Sequence, residues 1–264
     1  MKNYLVIGNP IEHSLSPKLH NHWMKVHKIN AVYEKKKTDN SELENLIYSI
    51  KDKKISGINV TVPFKQKVIP FLDRLSNEAK KTQSVNTIYL EENKTVGHNT
   101  DIEGFVQSIR CAKYEVEGKN VLILGAGGVV PSIILALKTM LANNIIISNR
   151  TREKAENLKK IFNNIKIADW GDIPNFDMII NATSIGLNEE ESINLNLSKM
   201  KNKFFYDVIY SPRETNFLKN GKELGNKTQN GKMMFIYQAF YAFKIWHQVS
   251  PKIDNETIRL LDND

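Results

Sequence analysis

Short apolar runs alternate with amphipathic stretches from the first residues of this chain. Tyr4–Ile7 reads as a strand followed by a polar loop. Ser16-Pro17 then opens a helix, with serine as the expected N-cap and proline at the first helical position. Leu19, Trp23 and Val26 recur along it at helical spacing. Ala31–Glu34 reads as a second strand. Ser41-Glu42-Leu43-Glu44 has the form of a capping box, and Leu43, Leu46, Ile47 and Ile50 share one face of the helix behind it. Ile58–Val62 is a third strand. Two helical stretches then lead to a hairpin, Val85–Leu90 with Thr95–His98 around Glu91–Lys94.

Beyond Asp101 a helix carries Phe105, Val106 and Ile109, and the pattern becomes more regular. Asn120–Leu124 runs directly into Gly125-Ala126-Gly127-Gly128 and an apolar helix reaching about Leu141. Strands are expected at Asn144–Ser148, Ile165–Ala168, Met178–Asn181 and Phe204–Val208, with a helix over Arg152–Phe162. Such alternation predicts mainly parallel sheets covered by helices on both faces, an α/β fold. Lys232–His247 is apolar almost all round and is expected to be a buried helix.

Composition narrows the class. A chain of 264 residues with 41% hydrophobic and 25% charged positions is large enough for a real core or two. One cysteine, Cys111, excludes an internal disulfide and a cysteine-rich zinc site. The segment MKNYLVIGNP does not read as a secretory leader, and Met233–Phe243 is too short to span a bilayer, so a cytoplasmic protein without membrane association is expected. The net charge of +8 comes from lysines spread over the whole length. No interleaving of basic and aromatic residues accompanies them, so nucleic acid is not expected as a partner. The six histidines show no metal-binding spacing, and no metal is implied.

The glycine turn after Leu124 has the context of a dinucleotide site: it ends a strand and opens a helix, whose free N–H groups favour a pyrophosphate. The third glycine of the usual fingerprint is replaced by Val130. About twenty residues further on, an NAD enzyme places an acid for the ribose 2′-hydroxyl. This chain has Asn149-Arg150-Thr151-Arg152-Glu153-Lys154 there, and a guanidinium suits a 2′-phosphate, so NADP(H) is the expected cofactor. Polar clusters also end the early strands: Ser14-Leu15-Ser16, Asn59 to Lys65, Asn86-Thr87 and Asn99-Thr100-Asp101. Brought to one sheet edge, they would line a site for a small polyhydroxylated molecule. The expected fold is therefore two-lobed. A discontinuous N-terminal substrate domain with a mainly parallel sheet spans 1–104 and 232–264, and a Rossmann-like NADP-binding domain spans 105–231.

Several motifs occur in the order in which one family carries them. They are Gly8-Asn9-Pro10, His13-Ser14-x-Ser16-Pro17, Asn59-Val60-Thr61-Val62-Pro63-x-Lys65, Asn99-Thr100-Asp101, Gly125–Gly128, Asn149-Arg150-Thr151, Asn181-Ala182-Thr183-Ser184-x-Gly186 and Gln238-Ala239. In this ordered set the chain resembles the shikimate dehydrogenases, NADP-dependent enzymes of aromatic amino-acid biosynthesis. The resemblance implies that Ser14 and Ser16 hold a substrate carboxylate. By the same resemblance Thr61, Asn86 and Gln238 bond ring hydroxyls, and Tyr210, in Asp207-x-x-Tyr210-x-Pro212, lies near the substrate. Lys65 and Asp101 match the catalytic pair. Gly125, Ala126, Gly127, Gly128, Asn149, Arg150, Thr151, Lys154, Thr183 and Gly231 match cofactor positions. Met233 departs from the pattern, standing where a second glycine is usual.

The implied reaction is the reversible reduction of 3-dehydroshikimate, with Lys65 giving the proton and Asp101 fixing it. A proton moved by the pair rather than by the lysine alone stays open. So does a relative that also takes quinate or NAD. A dinucleotide-binding regulatory or tRNA-linked protein without this chemistry is the alternative of another class. Gln238, in an apolar helix, serves either a ligand or an internal hydrogen bond. Monomer and homodimer are equally compatible with the sequence.

Overall fold

The computed structural model describes residues 1–188, 190–198 and 200–262. The chain forms two compact units, 1–104 with 236–264, and 105–235.

The first unit opens with β1 (Lys2–Gly8), α1 (Ser16–Val26), β2 (Ala31–Lys37), α2 (Leu43–Lys51) and β3 (Gly57–Val60). It continues through β4 (Arg74–Leu75), α3 (Asn77–Thr82), β5 (Thr87–Glu91), β6 (Lys94–His98) and the start of α4 (Asp101–Cys111). Local chemistry differs from the sequence reading in three places. Ser16 is the first residue of α1 and not its cap; Leu15 occupies that position and has no side-chain oxygen to offer. The capping box lies two residues earlier than expected: Asp39 caps a 3-10 turn, Asn40–Glu42, and Glu42 returns to the Asp39 N–H at 2.9 Å. Of the two helical stretches expected before the hairpin, the first is only a 3-10 turn at Ile69–Phe71, and β4 separates it from α3.

The six strands are ordered β2-β1-β3-β5-β6-β4. Neighbours β1/β2, β1/β3 and β4/β6 are parallel, whereas β5 runs antiparallel to both β3 and β6. Side chains alternate across the strands. Leu5, Ile7, Ile58 and Val60 therefore meet Leu43, Leu46, Ile47 and Ile50 of α2 in one buried cluster.

The second unit contains β7 (Asn120–Leu124), α5 (Val130–Thr139), β8 (Asn144–Ser148), α6 (Arg152–Ile161), β9 (Lys166–Ala168) and β10 (Met178–Asn181). It ends with β11 (Phe204–Asp207), α7 (Asn216–Glu223), β12 (Lys227–Gln229) and the first turn of α8 (Lys232–His247). The sheet is parallel throughout, ordered β12-β11-β10-β7-β8-β9. Its central strands are apolar on both faces, as helices on both sides require. The unit extends to Phe235, beyond the expected end at Gly231, because Phe235 packs on Tyr210 with ring centroids 4.5 Å apart.

The remainder of α8 and the short α9 (Asn255–Arg259) return to the first unit. In that unit α8 lays Phe243 against Trp23, 5.6 Å between centroids, and Trp246 against Tyr4, 4.9 Å. Contrary to expectation, α8 is not buried all round. Met234, Ile236, Ala239, Ala242, Phe243 and Trp246 form its buried face, while Tyr237, Gln238 and Tyr241 are half-buried. The aromatic residues Phe235, Tyr237, Phe240 and Tyr241 occupy intermediate positions that polar residues usually fill. Among the described residues no helix is long and apolar enough to cross a membrane.

Candidate active site

Strand direction explains how distant polar residues of the first unit meet. The antiparallel course of β5 sets Thr87, its first residue, opposite Asn59 of β3 and His98 of β6. Asn86 therefore lies at the same sheet edge as Thr61 and the Asn99-Thr100-Asp101 turn, although it precedes a strand instead of ending one. The convergence expected of parallel strand ends is produced here by a hairpin.

Lys65 and Asp101 lie at its centre. Lys65 Nζ is 2.5 Å from Asp101 Oδ2, and the two residues are only 9% and 6% exposed. Two backbone features fix them. The Val85 N–H bonds the Lys65 carbonyl at 2.9 Å, and Asp101 opens α4, where a carboxylate complements the helix dipole. Asn86 donates to the other carboxylate oxygen, Oδ1, at 2.9 Å, and to Thr100 Oγ1 at 2.9 Å. Its side-chain Oδ1 accepts from the Thr100 N–H at 2.8 Å and the Thr87 hydroxyl at 3.0 Å. Asn86, expected to bond a substrate hydroxyl, also orders Asp101.

Asn59 and Thr87, both in polar clusters expected at the site, and Tyr33, which was not expected there, continue the network. Asn59 donates to the Asn86 backbone carbonyl at 2.9 Å and to Thr87 Oγ1 at 3.0 Å. Its side-chain carbonyl accepts the Tyr33 hydroxyl at 2.7 Å, and Tyr33 is also bonded by the Ser16 hydroxyl. Burial holds the Tyr33 phenol well above its ordinary pKa, so it stays protonated. Ser14 and Ser16 are adjacent, the Ser16 N–H meeting Ser14 Oγ at 3.4 Å. A set running from two serines at a helix start to an ammonium is suited to an anionic, hydroxylated ligand. Gln238 is half-buried, so the buried amide expected in α8 is not what the structure contains.

In the second unit β7 and β10 are neighbours, and the chain departs to opposite sides beyond them, which makes their carboxyl ends a switch point. Gly125 sits there at φ +108°, and a Cβ on it would lie 2.8 Å from the Ala182 carbonyl, so only glycine fits. Gly127 and Gly128 follow, exposed and half-exposed, directly before α5. Thr183 follows β10 with its methyl beside Gly125. Asn149 bonds the Thr151 carbonyl at 2.7 Å, which shapes the loop before α6. Thr151 is the N-cap position of α6, yet its side chain makes no capping bond.

The charges at this point are unequal. Arg152 is engaged by Glu156 at 3.4 Å and by Asp169. Among the described residues Arg150 and Lys154 form no ion pair, which leaves two exposed cations at a helix N-terminus. An arrangement so unfavourable to the helix dipole is relieved by a bound dianion. The switch-point glycines and these cations fit a nicotinamide dinucleotide bearing a 2′-phosphate. Gly231 is different in kind. A Cβ there would lie 2.1 Å from the Val208 carbonyl, so this glycine permits a close backbone crossing. Tyr210 is half-buried and packs against Phe235 with the rings tilted by 30°. Among the described residues there is no group of three His, Cys, Asp or Glu side chains able to hold a metal.

A paired ammonium and carboxylate in one unit, with a phosphate-binding glycine turn in the other, define an NADP-dependent oxidoreductase of two α/β units. Residues 6–88 match the shikimate dehydrogenase substrate-binding domain, and residues 108–217 match shikimate/quinate 5-dehydrogenase. The chain belongs to the shikimate dehydrogenase family. It is 62% identical over 262 residues to the shikimate dehydrogenase (NADP(+)) of Pelagibacter ubique, covering 99% of each chain. The crystal structure of shikimate dehydrogenase from Aquifex aeolicus superimposes with a TM-score of 0.91 at 36% identity, over 100% of this chain and 98% of that one. A shikimate dehydrogenase crystallised in complex with NADP+ gives 0.91 and 36% as well, over 99% of this chain and 95% of that one.

Proposed function

We propose that this chain catalyses the reversible reduction of 3-dehydroshikimate to shikimate with NADPH, and that Lys65 delivers the proton. The observation that carries the reading is the 2.5 Å contact between Lys65 Nζ and Asp101 Oδ2, almost closed to solvent. NADPH supplies the hydride when bound. Reduction of a ring ketone leaves negative charge on its oxygen, and a positioned proton donor there is worth about 10²–10⁴-fold. Lys65 gives a proton from Nζ to that oxygen and later regains one from water. Asp101, held on one oxygen by Asn86, keeps the ammonium in place and offers a carboxylate oxygen to a neighbouring ring hydroxyl. In the reverse direction the amine of Lys65 takes the hydroxyl proton. Ser14 and Ser16 bond the carboxylate at the start of α1, and Thr61 bonds a ring hydroxyl beside Lys65. Arg150, Thr151 and Lys154 bind the 2′-phosphate and so favour NADP over NAD.

The test is an initial-rate assay at the nicotinamide absorbance band, with shikimate and NADP+, run beside quinate and NAD+. The expected result is turnover of shikimate with NADP+ and much lower kcat/KM for the other combinations. Protein that binds NADPH but oxidises no shikimate would overturn the reading and favour a regulatory dinucleotide-binding role.

A further inference from the structure

The carboxylate of Asp207, the last residue of β11, is completely buried, and the reaction does not use it. Four contacts converge on it. Asn181, at the end of the adjacent β10, donates its amide to both oxygens at 3.1 Å. The Thr215 hydroxyl donates to Oδ2 at 2.6 Å, and the Ile209 N–H donates to Oδ1 at 3.0 Å. With its nitrogen turned to Asp207, Asn181 presents its carbonyl to the loop beyond β10. That carbonyl accepts the Thr183 N–H at 3.0 Å and the Thr183 hydroxyl at 2.7 Å. The Asn181 amide also reaches the Ile185 carbonyl at 3.1 Å, while the Ile185 N–H bonds Thr183 Oγ1 at 3.1 Å. The loop so fixed holds the Ala182 carbonyl and the Thr183 methyl where a Cβ on Gly125 would meet them at 2.8 and 3.1 Å.

We propose that Asp207 is a positioning residue for the dinucleotide, acting through Asn181 to aim Thr183 and to seat the Ala182 backbone against the glycine turn. The inference rests on the reading that Thr183 faces the cofactor. An amide has one acceptor and one donor end, so an anion that fixes the donor end fixes the other. A buried carboxylate surrounded only by donors allows no alternative orientation of Asn181. Thr215 uses the same carboxylate for another purpose. It caps α7, accepting from the Leu218 N–H at 3.4 Å, and so separates the stability of the cluster from its effect on the loop.

The experiment measures NADPH and shikimate affinity of the full chain by titration, well below each variant's melting temperature. Asp207→Asn is expected to weaken NADPH binding tenfold or more while shikimate affinity stays within twofold. Thr215→Val is expected to lower the melting temperature yet hold NADPH affinity within threefold. In a Thr183→Ala background, Asp207→Asn is expected to cost less than threefold, because the link is already cut. Should Asp207→Asn fail to fold, Asn181→Ala breaks the same link and carries the same expectation. Unchanged NADPH affinity in Asp207→Asn, or an equal loss in both backgrounds, would overturn the inference alone. Wild-type protein that does not bind NADPH would overturn the cofactor reading and the inference with it.

Discussion

Asn86 donates an amide N–H to Asp101 Oδ1 at 2.9 Å, on the opposite side of the carboxylate from the oxygen that Lys65 occupies. The lysine and the asparagine therefore do different work. Lys65→Ala removes the proton donor, and kcat is expected to fall about 10²–10⁴-fold. KM for shikimate should change far less, because the interaction lost belongs to the transition state. Asn86→Ala leaves the donor in place but frees one carboxylate oxygen and strands the Thr100 N–H. A buried group left without a partner costs about 1–3 kcal/mol, so kcat/KM should fall roughly 5- to 150-fold. Steady-state kinetics of both variants check the division; an Asn86→Ala enzyme with wild-type kcat would contradict it.

Arg150 offers an equally direct test at the cofactor end. It is exposed and forms no ion pair among the described residues, whereas Arg152 two residues later is held by Glu156 and Asp169. Arg150→Ala should raise KM for NADP+ about tenfold, as expected for a lost charge-assisted contact of about 1.4 kcal/mol. The kcat/KM for NAD+, which has no 2′-phosphate, should stay within twofold. Arg152→Ala should have the smaller effect on NADP+. The reverse ranking of the two arginines would assign the phosphate to Arg152.

How far these features could be read in advance depended on whether their cause was local. Asn144–Ser148 and Met178–Asn181 were legible to the residue, because strands buried on both faces of a parallel sheet are continuous apolar runs. α7 and β12 were missed. α7 has a buried stripe of only Phe217, Leu218 and Gly221, and β12 is a polar edge strand, Lys227-Thr228-Gln229. Lys65 and Asp101 were found because their neighbours in sequence belong to an ordered set of motifs. Tyr33 escaped the site for the opposite reason: its hydroxyl reaches Asn59, 26 residues away, only once β2 and β3 are set on either side of β1. Asp207 was visible in the sequence only as the first letter of a motif assigned to Tyr210.

Asp207 also sets a pH dependence. Burial, outweighing its hydrogen bonds, pushes its carboxyl from 3.8 to about 6. The folded chain thus holds this proton more tightly than the unfolded chain. The stabilisation is complete below pH 3.8 and is lost as pH rises through about 6. Its full size is about 3 kcal/mol. In urea unfolding monitored on the second unit, the stability of wild type relative to Asp207→Asn should therefore grow as pH falls from 7 to 5. A difference that stays flat over that range would mean that the four donors outweigh burial.

His20 should act in the opposite direction, in the first unit. Its ring is fully buried, lies flat on Tyr33 at 4.3 Å, and among the described residues has no hydrogen-bond partner at either nitrogen. Burial, with a smaller contribution from His247, lowers its pKa from 6.5 to about 3. The unfolded chain takes up a proton near pH 6.5 that the folded chain refuses. Stability is therefore full above 6.5 and declines as pH falls toward about 3, by roughly 2 kcal/mol at pH 5. His20→Phe keeps an aromatic ring against Tyr33 but cannot be protonated. Its absolute stability reflects the larger ring as well, so the informative quantity is the slope against pH. Between pH 7 and 5 that slope should be shallower than in wild type, though not flat, because His247 is itself lowered to about 4 and still titrates in the unfolded chain. Equal slopes in the two proteins would require a proton to enter the folded core beside Tyr33, and the unpartnered nitrogens of His20 would then have to be reached by water.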